Sequence, residues 1–278
     1  MLVTATAFGI LMGMVRHLAD TGMPVLVMQF WRNLFAVMIF LPWFLRVGMA
    51  GLRTRRLGLY ATRSLSLTLS SISMFFAVTM MPVAEMTALS FTTPLFATVL
   101  AVLVLREHVG PRRWMALAIG FAGVLIMLRP GLASIDIGAL VVFFSALTFA
   151  IVVVTGKMLV ATEAPETIVF YLAAISLPIS FPLALTVWQW PTFEQLVWLI
   201  AMGLASNINM YGVSKALQAG EASLTQTFDF LRLPVTALVG FLFFAEVPDI
   251  WVWAGAIVIL SSAVYITRRE EALRRRAR

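Results

Sequence analysis

Ten apolar runs fill this 278-residue chain, near residues 1–15, 25–47, 59–79, 83–105, 113–128, 137–156, 167–187, 193–214, 221–244 and 250–267. Their lengths leave few ways to fold. A membrane-spanning helix takes about 20 predominantly apolar residues, and a helix satisfies its own backbone hydrogen bonds where lipid offers none. Ten spans use roughly 200 residues, so the connections have no room for a separate soluble domain. Composition agrees: 61% of residues are apolar and 12% charged, against roughly 25% charged in a soluble domain, and the mean hydropathy is +0.97. The expected fold is an all-α integral membrane protein with ten transmembrane helices. The first run stops at Arg16, after about 22 Å of helix, short of the ~30 Å hydrocarbon core. It has neither a basic leader nor a cleavage site, which argues against a signal peptide. Its shortness points instead to native residues missing ahead of Met1.

The net charge of +7 sits in connections and the C-terminal tail, so membrane lipid headgroups, not nucleic acid, are the expected partner. With the N-terminus in the cytoplasm, sixteen of the twenty Lys and Arg residues fall on the inward side: Arg46, Arg53, Arg55, Arg56, Arg63, Arg106, Arg112, Arg113, Lys157, Lys215 and the six tail arginines from Arg268 to Arg278. Only Arg16 and Arg129 fall outside, and Arg32 and Arg232 lie within spans. Positive charge accumulates on the cytoplasmic side, so both termini are expected there. The chain has no cysteine and two histidines, His17 and His108. That excludes disulfides and thiolate chemistry and leaves no histidine cluster for a metal. No HExxH, paired intramembrane aspartates or nucleotide-binding motif is present, so no cofactor, enzymatic role or direct ATP drive is expected. A passive channel is the remaining contrast to a carrier, separated from it by saturable exchange.

The halves echo one another. Pro94, Leu105-Arg-Glu107, Trp114 and Arg129 recur as Pro234, Phe244-Ala-Glu246, Trp253 and Arg268. Glu to Trp is seven residues in both copies, Glu to the final Arg is 22 in both, and Pro to Glu is 13 in one and 12 in the other. Five spans per copy is an odd number, so the second copy enters the membrane inverted. The connections agree: Arg106-Glu-His-Val-Gly-Pro-Arg112-Arg113 is basic, while its counterpart Ala245-Glu-Val-Pro-Asp-Ile-Trp-Val carries no basic residue. We expect repeats over residues 1–130 and 131–278, an architecture associated with alternating access around a midplane site.

The doubled Pro…Glu…Trp pattern, with Phe30-Trp31-Arg32 near the start of the second span, resembles the drug/metabolite transporter superfamily, specifically its ten-helix exporters built from two EamA-type domains. The stretch from Ala216 to Pro234 is similar to a bacterial branch that includes aromatic amino-acid exporters and other metabolite carriers. The resemblance covers nearly the whole chain and implies a central cavity between the halves.

Candidate substrate-binding or gating residues follow from cost and spacing. Asp229 and Arg232 lie at i and i+3 about 12 Å into the ninth span, where charge is expensive unless paired or wetted. They either face the cavity or neutralise one another. Arg32 lies at comparable depth and either shares Asp229, bonds backbone carbonyls or snorkels outward. Pro94 and Pro234 occupy matching positions, and paired helix breaks in inverted repeats point to a site or hinge, the alternative being a fixed bend. Asn207, Tyr211 and Ser214 recur at i, i+4 and i+7, as Ser66, Ser70 and Ser73 do in the third span. Both polar stripes should face protein or water, lining a cavity or packing helices closely. Glu85 and Glu221 at span starts suit the helix dipole.

The expected activity is secondary export of amino acids or similar small metabolites across a bacterial inner membrane. Proton-coupled efflux of a drug or lipophilic cation is an alternative. The small multidrug-resistance relatives use a glutamate in their first helix, which residues 1–15 lack, and Arg32 and Arg232 repel a cation. Carriage of a larger, nucleoside-like metabolite stays open, as does the oligomeric state.

Overall fold

The computed structural model describes residues 2–48, 54–81, 83–128 and 137–220, with scattered positions between 236 and 261. Among the described residues there is no strand. The helices are α1 (Leu2–Asp20), α2 (Val25–Val47), α3 (Leu57–Met80), α4 (Val83–Ser90), α5 (Thr93–Leu100), α6 (Pro111–Leu128), α7 (Ile137–Val160), α8 (Pro165–Leu185) and α9 (Phe193–Ala219). A π-helical turn, Ala101–Leu105, extends α5. By length and composition, Val25–Arg46, Ile137–Val160, Pro165–Leu185 and Phe193–Ala219 can each cross a membrane.

Three sequence expectations need correction. Helix α1 does not stop before Arg16 but runs to Asp20, about 28 Å in all. Arg16 stays helical because its charge is met: Nε lies 3.3 Å from Asp20 Oδ1 one turn on, and Nη1 donates to the Val78 carbonyl at 2.9 Å. The run at 83–105 is not one helix. It breaks at Phe91–Thr92, and Pro94 follows as a first-turn residue of α5, where its missing N–H costs least. Arg63, counted with the basic connection, lies inside α3 and is fully buried.

Local chemistry sets the remaining ends. Gly22 adopts φ 81°, with Gly22 N–H donating to Ala19 O at 2.9 Å and Met23 N–H to Leu18 O at 3.2 Å, a Schellman pair that closes α1. Thr192 and Gln195 exchange side chain-to-backbone hydrogen bonds and start α9 with a capping box.

Packing comes in matched pairs. Helix α3 runs along α7 as α1 runs along α9; α3 leans on α8 as α2 leans on α9; α1 meets α3 as α7 meets α9; α2 meets α3 as α8 meets α9; and α2 crosses α8. Exchanging α1, α2 and α3 for α7, α8 and α9 maps each of these contacts onto another, or onto itself. Small residues permit the closest approaches. A Cβ at Gly203 of α9 would lie 2.9 Å from Phe35 Cβ and 3.0 Å from the Ala36 backbone nitrogen of α2.

Candidate functional site

The matched pairs leave a cavity between α1, α2, α3, α7, α9 and the broken fourth span, well inside the helix ends. Its lining mixes aromatic and thioether side chains, Phe8, Met12, Met74, Phe75, Phe149 and Met210, with polar ones, Arg32, Ser71, Ser90, Thr93, Ser206 and Asn209. Ser90 and Thr93 come from either side of the Phe91–Thr92 interruption, so the helix break itself supplies lining. The free space is about 60 Å³, room for a few waters.

Arg32 is the charged member of this lining. It lies about 10 Å into α2 and is 3% exposed. Nη2 donates to Asn33 Oδ1 at 3.0 Å, Nη1 makes a long contact to Ser71 Oγ at 3.4 Å, and the guanidinium sits 5.4 Å from the centre of the Phe75 ring. Asn33 is in turn fixed by donating to Ser180 Oγ of α8 at 3.2 Å. A guanidinium has five N–H donors in a rigid fork; Nε here is buried and has no hydrogen-bond partner among the described residues. Among the described residues no carboxylate pairs with Arg32; the ion pair they contain is Arg16–Asp20. Such a group suits a ligand oxygen.

The asparagines and serines mostly bind helices together. Asn207 donates to the Ala36 carbonyl at 2.9 Å and lines a small extension of the cavity beside Arg32 and Asn33. Asn209 donates to the Thr4 carbonyl at 2.8 Å. Ser70 and Ser145 tie α3 to α7 reciprocally, each hydroxyl donating to the other's carbonyl at 3.0 and 2.9 Å. Tyr211 is not among the cavity-lining residues: its hydroxyl donates to Glu166 Oε1 at 2.9 Å, with Lys215 5.6 Å over its ring. Arg32 and Asn207 are thus brought together, Pro94 adjoins the cavity through Thr93, and Tyr211 stands apart. Asp229, Arg232, Pro234, Glu221 and the Glu85 side chain lie outside the described residues.

Sequence reasoning missed Asn33 and Arg63. It also missed the aromatic cluster at the α2 start, where the Trp31 ring centre lies 6.2 Å from those of both Trp188 and Trp190 and the Phe30 ring lies 5.5 Å from Trp188. Gln29, Arg32, Asn33 and Ala36 share one α2 face, a pattern available from spacing alone. Among the described residues no group of acidic or histidine side chains could hold a metal.

The EamA-like transporter family matches residues 1–129 and again residues 136–268. A riboflavin transporter of Rhizobium johnstonii is 36% identical over 87% of this chain and 80% of its own length. A riboflavin transporter of Vibrio cholerae is 32% identical over 100% of this chain and 95% of its own. An S-adenosylmethionine uptake transporter of Rickettsia prowazekii is 28% identical over 87% of this chain and 82% of its own. A protein crystal structure superposes with a TM-score of 0.76 over 98% of both chains at 16% identity, which shows the shared fold alone.

Proposed function

Because the chain belongs to the EamA-like transporter family, a family of multi-pass membrane transporters, we propose that it is a secondary carrier of a small heteroaromatic metabolite of the flavin or nucleoside type. The observation that carries this reading is a cavity lining that joins aromatic and thioether side chains to the incompletely bonded guanidinium of Arg32. A planar ring stacks on the aromatic side chains, and an acceptor atom on its edge takes a hydrogen bond from the guanidinium. Riboflavin and S-adenosylmethionine, which name the relatives, both join a planar heteroaromatic ring to a polar chain; the flavin ring offers carbonyl oxygens as acceptors and adenine offers ring nitrogens.

In this reading ten helices form inverted repeats over residues 1–130 and 131–278, and the matched helix contacts support it. The free space of about 60 Å³ holds only a few waters, so in this reading a flavin enters when the halves rock apart, as alternating access requires. The break before Pro94 serves as a hinge, and Pro234 is its counterpart. Both termini lie in the cytoplasm and the membrane is a bacterial inner membrane. The name of the S-adenosylmethionine relative moves the proposed direction from export to uptake.

Amino-acid carriage is the second reading. Arg32 favours it by offering a partner to a carboxylate, and the ammonium group then needs an acid such as Asp229.

Equilibrium binding separates the readings. Riboflavin binding to the purified protein, followed by quenching of flavin fluorescence, is expected to saturate and to be displaced by excess of another flavin. Displacement by tryptophan but not by flavins supports amino-acid carriage. Binding of a lipophilic cation alone contradicts both.

A further inference from the structure

The half of the bundle between the cavity and the end carrying Arg56, Lys157 and Lys215 is packed shut, yet it holds buried polar groups that no described residue satisfies. Arg63 of α3 is 0% exposed. Its Nη1 donates to the Val152 carbonyl at 2.5 Å, while Nε and Nη2 are buried without a hydrogen-bond partner. Ser64 of α3, Thr98 of α5 and Ser214 of α9 are each 0% exposed, with hydroxyls equally unpartnered. Nearly all buried polar groups in native proteins are bonded, and a buried cation short of partners is costly. The sequence nevertheless makes room for this one: a Cβ at Gly156 of α7 would fall 1.6 Å from Arg63 Nη1.

Other buried atoms without a partner lie toward the opposite end, those of Gln29 and Thr87 among them, but Arg63, Ser64 and Ser214 continue the faces that line the cavity. On α3, Leu67 and Ser71 line the cavity, and Arg63 and Ser64 lie one turn further toward the basic end. On α9, Ser206 and Met210 line it, and Ser214 is the next residue at i+4. An apolar cluster that includes Tyr60, Ala97, Val153, Val213 and Leu217 fills the space beside them. Beyond it, hydrogen bonds hold the end closed: Lys157 Nζ donates to the Leu217 carbonyl at 2.8 Å and to the Gly220 carbonyl, and Arg56 Nη1 donates to the Met158 carbonyl at 2.9 Å. Thr54 Oγ1 donates to Glu163 Oε1 at 2.7 Å. These ties lie at an end where water can replace them.

We infer that this packed half is the closed limb of the substrate path, and that Arg63, with Ser64 and Ser214, forms a second substrate subsite that opens toward the basic end. Unpartnered donors here gain hydrogen bonds when something polar enters. In the packed state they wait; when α3 and α7 part at Gly156, they meet the hydroxyl and carbonyl oxygens of a substrate leaving the cavity. The inference rests on the carrier reading and extends it from one site to two.

Because the chain contains no cysteine, Ser214→Cys introduces a unique thiol. In proteoliposomes of known orientation, a membrane-impermeant maleimide is expected to modify it from the basic-end side and not from the other. This arm needs no substrate, so it holds even where riboflavin proves to be the wrong ligand. In the second arm, Arg63→Lys keeps the charge but loses the planar fork. It is expected to cut maximal riboflavin flux about tenfold while leaving flavin affinity at the central cavity within about twofold, the signature of a step after binding. A thiol at 214 unreactive from either side overturns the path, leaving Arg63 a lock between helices. A reactive thiol with undiminished flux in Arg63→Lys overturns the subsite. Failure of the unsubstituted protein to bind riboflavin sinks the flavin reading and leaves the labelling result to decide the path.

Discussion

Arg32→Gln is expected to abolish riboflavin uptake without lowering the melting temperature of the substrate-free protein. The guanidinium is 3% exposed, and among the described residues it has hydrogen-bonding neighbours but no carboxylate. A buried cation held by neutral groups is a liability to the apo fold, so removing it costs little stability. The substrate loses far more. A hydrogen bond to a charged group contributes about 1.5–3 kcal/mol, so losing even one weakens binding about ten- to a hundredfold. Arg32→Lys is expected to fall between, since a point charge replaces a fork. Flavin titration beside a thermal melt separates the outcomes. Loss of binding with an unchanged melt fits a substrate contact; loss of both would make Arg32 a packing residue with a partner such as Asp229.

The largest stability effect is expected at Gly203. An added Cβ meets Phe35 Cβ at 2.9 Å, the Ala36 nitrogen at 3.0 Å and the Phe35 carbonyl carbon at 3.1 Å. Two of these atoms are backbone and cannot rotate away, so Gly203→Leu must push α2 from α9. Overpacking a core costs about 1–3 kcal/mol. The separation also stretches the bond from Asn207 to the Ala36 carbonyl, of a kind that contributes about 0.6 kcal/mol in membranes. A loss of about 2–4 kcal/mol is therefore expected in detergent unfolding. Gly58→Ala is the control: its added Cβ meets nothing within 4 Å, and the expected change is below about 0.5 kcal/mol. Equal stability of the two variants would mean that the α2–α9 seam is looser than its geometry implies.

Much of the helical framework was legible because lipid forces one solution on a long apolar run. The runs at 25–47 and 137–156 reappear as α2 and α7, with α7 continuing to Val160. Charge is where sequence and structure part. Arg16 ends the first apolar run and Arg63 counts with the inward basic residues, yet each lies inside a helix and donates to a backbone carbonyl across the bundle, Val78 and Val152. Such long-range acceptors leave no local trace in a sequence. The break at Phe91–Thr92 was signalled by Pro94, though not its place on the cavity wall. Helical spacing also put Asn207 and Tyr211 on one stripe, but spacing says nothing of reach, and Tyr211 extends to Glu166 of α8. Asn33 escaped notice because it matters only through Arg32 and Ser180.

Counterflow tests the proposed carriage most directly. Proteoliposomes loaded with unlabelled riboflavin and diluted into labelled riboflavin are expected to accumulate label transiently and saturably, with S-adenosylmethionine, tryptophan and a lipophilic cation run in parallel. Accumulation that vanishes in Arg32→Gln ties the flux to the cavity. Flux that never saturates indicates a passive channel. Accumulation of tryptophan or the cation, with none of riboflavin, contradicts the flavin assignment.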